Sequence, residues 1–160
     1  MILPRPTMRD LLYLCQSIRP DERRQWELLH GAKWDVADAA HGFFNRAGVM
    51  FALKDDSSSL PIVAGGWHEY QPGVWDSWMI GTPGGWAMRW RSITKACRKV
   101  MDKLMERGAR RLETVSIASR TEACDWYVRG LLMHHEATFA QYATNGEDAV
   151  LYARVRGGAQ

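Results

Sequence analysis

Three sets of side chains have the types that ligate metals or act as nucleophiles. Asp35, Asp38 and His41 stand three residues apart and would share one face of a helix. Such a set either holds a metal ion or is a solvated helix face, and the solvated face is the expectation. His134 and His135 are adjacent, so in a strand they would point to opposite sides and could not share an ion. Cys15, Cys97 and Cys124 are widely spaced and odd in number, with no CxxC pair. That argues against a zinc site and against a disulfide framework, and for reduced, mostly buried thiols. No metal is expected. Anion chemistry has a better basis, because basic side chains concentrate between Arg89 and Arg111.

The elements that must position these groups follow from periodicity. A short strand is expected over 2–5, then helices over 8–18, capped by Thr7, and over 20–30, opened by Pro20, Asp21 and Glu22 and closed by Gly31. Residues 34–42 read as irregular or weakly helical. Strands follow over 48–53, 61–70 and 74–81, joined by short turns into a meander, with Gly65 and Gly66 marking a candidate bulge. The clearest helix covers 86–107, where Trp86, Trp90, Ile93, Cys97, Val100, Met101 and Leu104 keep a three-four rhythm. A strand over 112–118, a helix over 121–131 and strands over 138–143 and 149–155 complete the chain, with Asn145-Gly146 as a hairpin signal.

Strand 74–81, helix 86–107 and strand 112–118 form a right-handed β-α-β crossover. The expected fold class is therefore α+β: a mixed, mostly antiparallel sheet with helices on both faces and one central parallel crossover, in a single domain spanning 1–160. In this topology a helix N-terminus opens beside the carboxyl end of a central strand, a position that favours an anion.

At 160 residues and 18.3 kDa the chain has the size of one domain and needs no staple to bury a core. With 46% hydrophobic and 24% charged residues it is ordinary globular material, neither disordered nor fibrous. The net charge of +3 and the lack of a long basic run argue against nucleic acid as a partner. No apolar stretch approaches membrane-spanning length, and the first residues lack an apolar core of signal-peptide length, so a cytoplasmic location is expected. Tryptophan is over-represented: eight residues, five of them between 67 and 90. If two or more of those five met solvent, a bulky ligand or protein partner would be favoured over plain packing.

This order of elements resembles the GNAT family of acetyl-CoA-dependent N-acetyltransferases, across nearly the whole chain by topology and in two short stretches by motif. Arg91-Ser92-Ile93-Thr94-Lys95-Ala96 is similar to the family's Q/R-x-x-G-x-G/A pyrophosphate loop, with Thr94 in place of the first glycine. Arg120-Thr121-Glu122-Ala123 leads to Tyr127 as the family's N-x-x-A-x-x-x-Y pattern does, with Arg120 replacing asparagine. The resemblance implies acetyl-CoA as cosubstrate, lying along strand 74–81. Backbone amides near Ile80 and Gly81 would polarise its thioester carbonyl, and Arg89, Arg91, Thr94, Lys95 and Ala96 would hold its phosphates. It implies Tyr127 as general acid for the departing thiolate, and a carboxylate near that strand, Asp76 or Glu69, as base. The Pro61–Gly66 segment, the R-x-x-T-x-A stretch and His135-Glu136 are further similar to small GNAT-like proteins of short-tailed bacteriophages. That similarity implies an acyltransferase acting on a host protein in the infected cytoplasm, or a GNAT-fold binding protein that modulates a host enzyme or sits inside the virion.

Overall fold

The computed structural model describes residues 4–157. Of the expected first strand, Ile2 and Leu3 lie outside the described residues; the Pro4 carbonyl accepts from the Ala52 N–H at 2.8 Å. Three helices come first: α1 (Met8–Gln16), α2 (Pro20–His30) and α3 (Val36–Asn45). Thr7 and Asp10 close a reciprocal capping box on α1, and Gly31 ends α2 at φ 66, the left-handed conformation a C-terminal glycine supplies. The weakly helical region is a true helix. Asp35 caps it by accepting from the Asp38 N–H at 2.8 Å, so Asp35 is spent at the helix end rather than presented on its face.

Among the described residues six strands form one sheet in the order β1-β2-β3-β4-β6-β5. These are β1 (Val49–Lys54), β2 (Pro61–Gln71), β3 (Val74–Gly81), β4 (Arg111–Ile117), β5 (His134–Phe139) and β6 (Ala149–Val155). Among the described residues only β3 and β4 pair in parallel, through the long helix α4 (Pro83–Glu106) between them. The fold is α+β with a mostly antiparallel sheet and helices on both faces, as its periodicity predicts. The Gly65-Gly66 pair carries no bulge; the register slips later, between Glu69 and Gln71. These glycines make room: a Cβ on Gly66 would stand 2.6 Å from Trp78 Nε1 and 2.7 Å from the Val49 carbonyl. Strand β5 lies four residues earlier than predicted, because an exposed edge strand shows no apolar alternation to locate it.

Alternation along β3 separates two cores. Trp78 and Ile80 pack with Leu11, Leu14, Ala40 and Phe43 beneath α1 and α3. Trp75 and Met79 face the other layer, where Ile93, Cys97, Met101 and Leu104 of α4 meet Val63, Trp67 and Leu112. Beyond β4, α5 (Thr121–Asp125) widens into a π-helical turn over Trp126–Gly130, closed by the Leu131 N–H on the Trp126 carbonyl at 3.0 Å. Among the described residues no helix is long and apolar enough to cross a membrane.

Candidate active site

The parallel pair β3–β4 holds for three residues only: Val74 with Arg111, Trp75 with Leu112 and Asp76 with Glu113. Past that point both strands continue, each still paired on its outer side, to Gly81 on β3 and Ile117 on β4. The sheet therefore splits into a wedge whose inner edges carry backbone groups without a strand partner. Antiparallel ladders alternate inward and outward residues. The Gly81 N–H and C=O both bond away from β2, to Glu22 and to the Arg19 N–H, so Met79 and Ser77 share that direction and Ile80 faces Ala64 instead. On β4 the Ile117 N–H is likewise turned inward.

Helix α2 crosses the wide end of this wedge. Glu22 and Gln25 are three residues apart and so lie on one helix face. The Glu22 carboxylate accepts from the Gly81 N–H at 2.9 Å and from the Trp86 indole N–H at 3.0 Å. The Gln25 carbonyl accepts from the Ile117 N–H at 3.0 Å and the Ser116 hydroxyl at 2.9 Å. Gly81 must lack a side chain, since a Cβ there would stand 2.6 Å from Trp86 Nε1. Asp21 ties the same helix to Arg120 at 2.8 Å. Glu22 is buried, and burial pushes its carboxyl up to about 7, against the opposing pull of Arg19, the Gly81 N–H and Arg120.

Between the strands, and through the sheet, runs a cavity of about 930 Å³. On the α4–α5 side it is lined by Met79, Thr114, Trp86, Trp126 and Tyr127; on the α2–α3 side by Trp26, Trp34, Phe43, Trp78, Asp76 and Glu113. Tyr127 sits in the π-helical turn, its ring 5.6 Å from Trp126 and 5.4 Å from Tyr152, and its hydroxyl faces Thr114, Arg120 and Glu22. Burial raises its phenol further, with Arg120 opposing, so it is protonated at neutral pH and able to donate.

The structure brings Tyr127, Asp76 and Ile80 to this cavity, sets Gly81 at the end of the wedge against Glu22, and leaves the other sequence candidates elsewhere. Asp76 pairs through one oxygen with Arg46 at 2.8 Å; its other oxygen, Oδ1, is buried with no hydrogen-bond partner. Glu69 is exposed and braces the β2–β3 turn by accepting from the Gly73 N–H at 2.7 Å, so it stands outside the cavity. Ile80 directs its amide into the β2 ladder, and Met79 takes the wedge-facing position instead. The stretch from Arg91 to Ala96 is not a loop. It lies in the third and fourth turns of α4, where backbone amides are committed to i−4 carbonyls. Thr94 donates its hydroxyl to the Trp90 carbonyl at 2.7 Å and accepts from the Trp126 indole at 2.8 Å, and Ala96 is buried in the core. Arg89 pairs with Asp55; Arg91 covers the Trp90 ring and, with Lys95, lines a second groove of about 980 Å³ between α4 and the π-helical turn.

The helix N-terminus itself begins at Pro83, eight residues before Arg91. Pro83 has no N–H, Gly85 gives its own to the Thr82 hydroxyl at 3.0 Å, and Trp86 bonds to the Thr82 carbonyl. The Gly84 N–H has no hydrogen-bond partner among the described residues, and a Cβ there would meet nothing within 4 Å. Sequence reasoning missed Glu22 and Gln25. Glu22 reads as an acid at the positive end of a helix dipole, and only the (i, i+3) pairing of two polar residues on a helix with Trp26 and Leu29 hints at an inward polar face. Of the five clustered tryptophans, Trp67 and Trp78 are buried, Trp75 and Trp86 half-buried, and Trp90 is 46% exposed.

The architecture is that of the GNAT acetyltransferases. A ribosomal-protein-alanine N-acetyltransferase from Brucella melitensis aligns with a TM-score of 0.75 at 10% identity, over 97% of this chain and 99% of that one. A GNAT-family acetyltransferase from Bacillus anthracis aligns with a TM-score of 0.70 at 11% identity, over 97% and 98%. The aminoglycoside acetyltransferase AAC(6')-Ib, solved with coenzyme A and kanamycin, aligns at 0.68 and 17% identity, over 96% and 94%. No protein-family model matches this sequence. No curated protein matches it in sequence either.

Proposed function

We propose that this chain transfers an acetyl group from acetyl-CoA to an amine. The observation that carries the reading is the cavity through the split between β3 and β4, with a tyrosine hydroxyl on one side and a carboxylate on the other. Acetyl-CoA, when bound, supplies an activated acyl group on a good thiolate leaving group. The Met79 amide would polarise the acyl carbonyl, Tyr127 would donate a proton to the leaving sulfur, and the Gly84 amide would meet phosphate oxygen. Asp76 Oδ1, buried and unpartnered, would hold the incoming amine and accept its proton. Arg91 and Lys95, two turns further along α4, would face the phosphorylated nucleotide end. The proposed setting is a phage-encoded protein acting on a host protein in the infected cytoplasm, a reading that rests on the resemblance of Pro61–Gly66, the Arg91–Ala96 stretch and His135-Glu136 to phage GNAT-like proteins.

The test is titration calorimetry with acetyl-CoA, followed by thiol release with a panel of amines: peptides with a free amino terminus, peptides with an internal lysine, a polyamine and an aminoglycoside. Tyr127→Phe should lose roughly 10²-fold or more in kcat while keeping acetyl-CoA affinity. Absence of binding at millimolar acetyl-CoA would overturn the proposal. A second reading, a non-catalytic scaffold that binds a host enzyme or a virion component, draws on the start of α4, where only Gly84 of the first three residues offers a free amide. That reading requires no acetyl-CoA binding, so the same titration separates the two.

A further inference from the structure

The two inner edges of the wedge are not empty at their wide end. Gly81 is satisfied on both backbone groups by α2, its N–H by Glu22 and its C=O by the Arg19 N–H at 3.1 Å. A ligand arm that carries amides pairs best with an unpartnered strand edge, as an added strand would. On β3 that edge consists of Ser77, Met79 and Gly81, and Gly81 is the position taken by a side chain rather than by the backbone of a neighbouring strand. The helix that delivers the side chain is held independently: Gln25 on β4, Asp21 on Arg120, Arg24 on Glu147, and the Leu28 carbonyl on the Thr144 N–H. Removing Glu22 from Gly81 therefore needs a side-chain rotation, not a displaced helix.

We propose that Glu22 is a gate on the wedge: it occupies the Gly81 amide that a thioester arm would use, and it leaves that amide when the arm enters. The proposal rests on the acetyl-CoA reading above and goes beyond it, because it makes access to the wedge depend on a residue outside the reacting groups. The charged and titratable groups facing Glu22 are Arg19 and Asp21 on its own helix, Arg120 at the start of α5 and Tyr127 in the π-helical turn. Trp86 on α4 contributes only its indole N–H. Glu22 already pairs with Arg19 at 3.5 Å while it holds Gly81, so what turning away toward solvent gains is hydration. Its carboxyl then falls back from about 7 toward the ordinary carboxylate range, so opening releases a proton. The sign follows: the closed form is favoured at low pH, and opening becomes easier as pH rises to about 7, above which the dependence flattens.

The experiment is calorimetric titration of the intact protein with coenzyme A at pH 6, in two buffers of different ionisation enthalpy, on wild type, Glu22→Gln and Glu22→Ala. Wild type should release about one proton per coenzyme A more than Glu22→Gln. Its affinity should also climb with pH between 5 and 7, at up to about tenfold per unit, while Glu22→Ala should bind more tightly at pH 6 and show no such slope. Equal proton release in wild type and Glu22→Gln, with coenzyme A bound in both, overturns the gate and leaves the acetyl-CoA reading standing. Binding by Glu22→Ala but not by wild type supports the gate. No binding by either removes the gate and that reading together. Should the variants fail to fold, the wild-type affinity slope decides alone: flat between pH 5 and 7 refutes the gate.

Discussion

Glu22→Gln should change how the stability of the fold depends on pH. The side chain is 7% exposed, its two oxygens accept from Gly81 and Trp86, and burial raises its carboxyl from 4.5 to about 7. A carboxyl whose folded value lies above its unfolded value binds its proton more tightly in the folded state. Its contribution is complete below 4.5 and is lost as pH rises to about 7. A shift of that size, at about 1.36 kcal/mol per unit, comes to about 3 kcal/mol. Urea unfolding at pH 5, 6, 7 and 8 should show wild type losing stability by that order across the window, and Glu22→Gln losing little. Other strongly shifted acids do not obscure the window: Arg24, Ser119 and Asn145 hold Glu147 down at about 2, so its contribution fails at lower pH. A wild-type profile that is flat or rising from pH 5 to 7, or a variant that keeps the wild-type slope, would refute the reasoning.

Three further variants test the placement of α4. Thr94→Val removes the acceptor of the Trp126 indole N–H and should cost about 1–3 kcal/mol in denaturant unfolding, while coenzyme A affinity stays within twofold; a large loss of affinity would return Thr94 to the phosphate site. Gly85→Ala puts a Cβ 2.7 Å from the Ile62 carbonyl and should destabilise by about 1–3 kcal/mol. Gly84→Ala meets nothing within 4 Å and should leave thermal stability unchanged or slightly higher. Its effect should appear in weaker coenzyme A binding, and equal melting points for the two alanine variants would contradict the packing described here.

The elements were legible where local chemistry and periodicity coincide. Thr7 capping α1, Gly31 ending α2, and Ile93, Cys97, Val100, Met101 and Leu104 along α4 are signals carried within a few residues, and each lies where expected. Legibility fails where the deciding contact is distant. Asp35 makes α3 a helix through a cap that competes with its reading as a metal ligand. Strand β5 is defined by pairing with β6, not by its own pattern. The stretch from Arg91 to Ala96 resembles a loop motif but starts a register too late, because Thr82 and Pro83 have already begun the helix.

By itself, then, the sequence determined the class of fold, the central crossover, and a tyrosine at a spacing that reaches the sheet. These depend on short-range periodicity and on the handedness of chain connections. Tertiary structure alone decided that β3 and β4 part after Asp76 and Glu113, that Met79 rather than Ile80 faces the split, and that Glu69 stays at a turn. It also decided that Glu22, 59 residues from Gly81, closes the gap between the strands. The physical reason is that an amide left without a strand partner must be satisfied by whatever polar group packing brings to it, and no local pattern encodes which group that is.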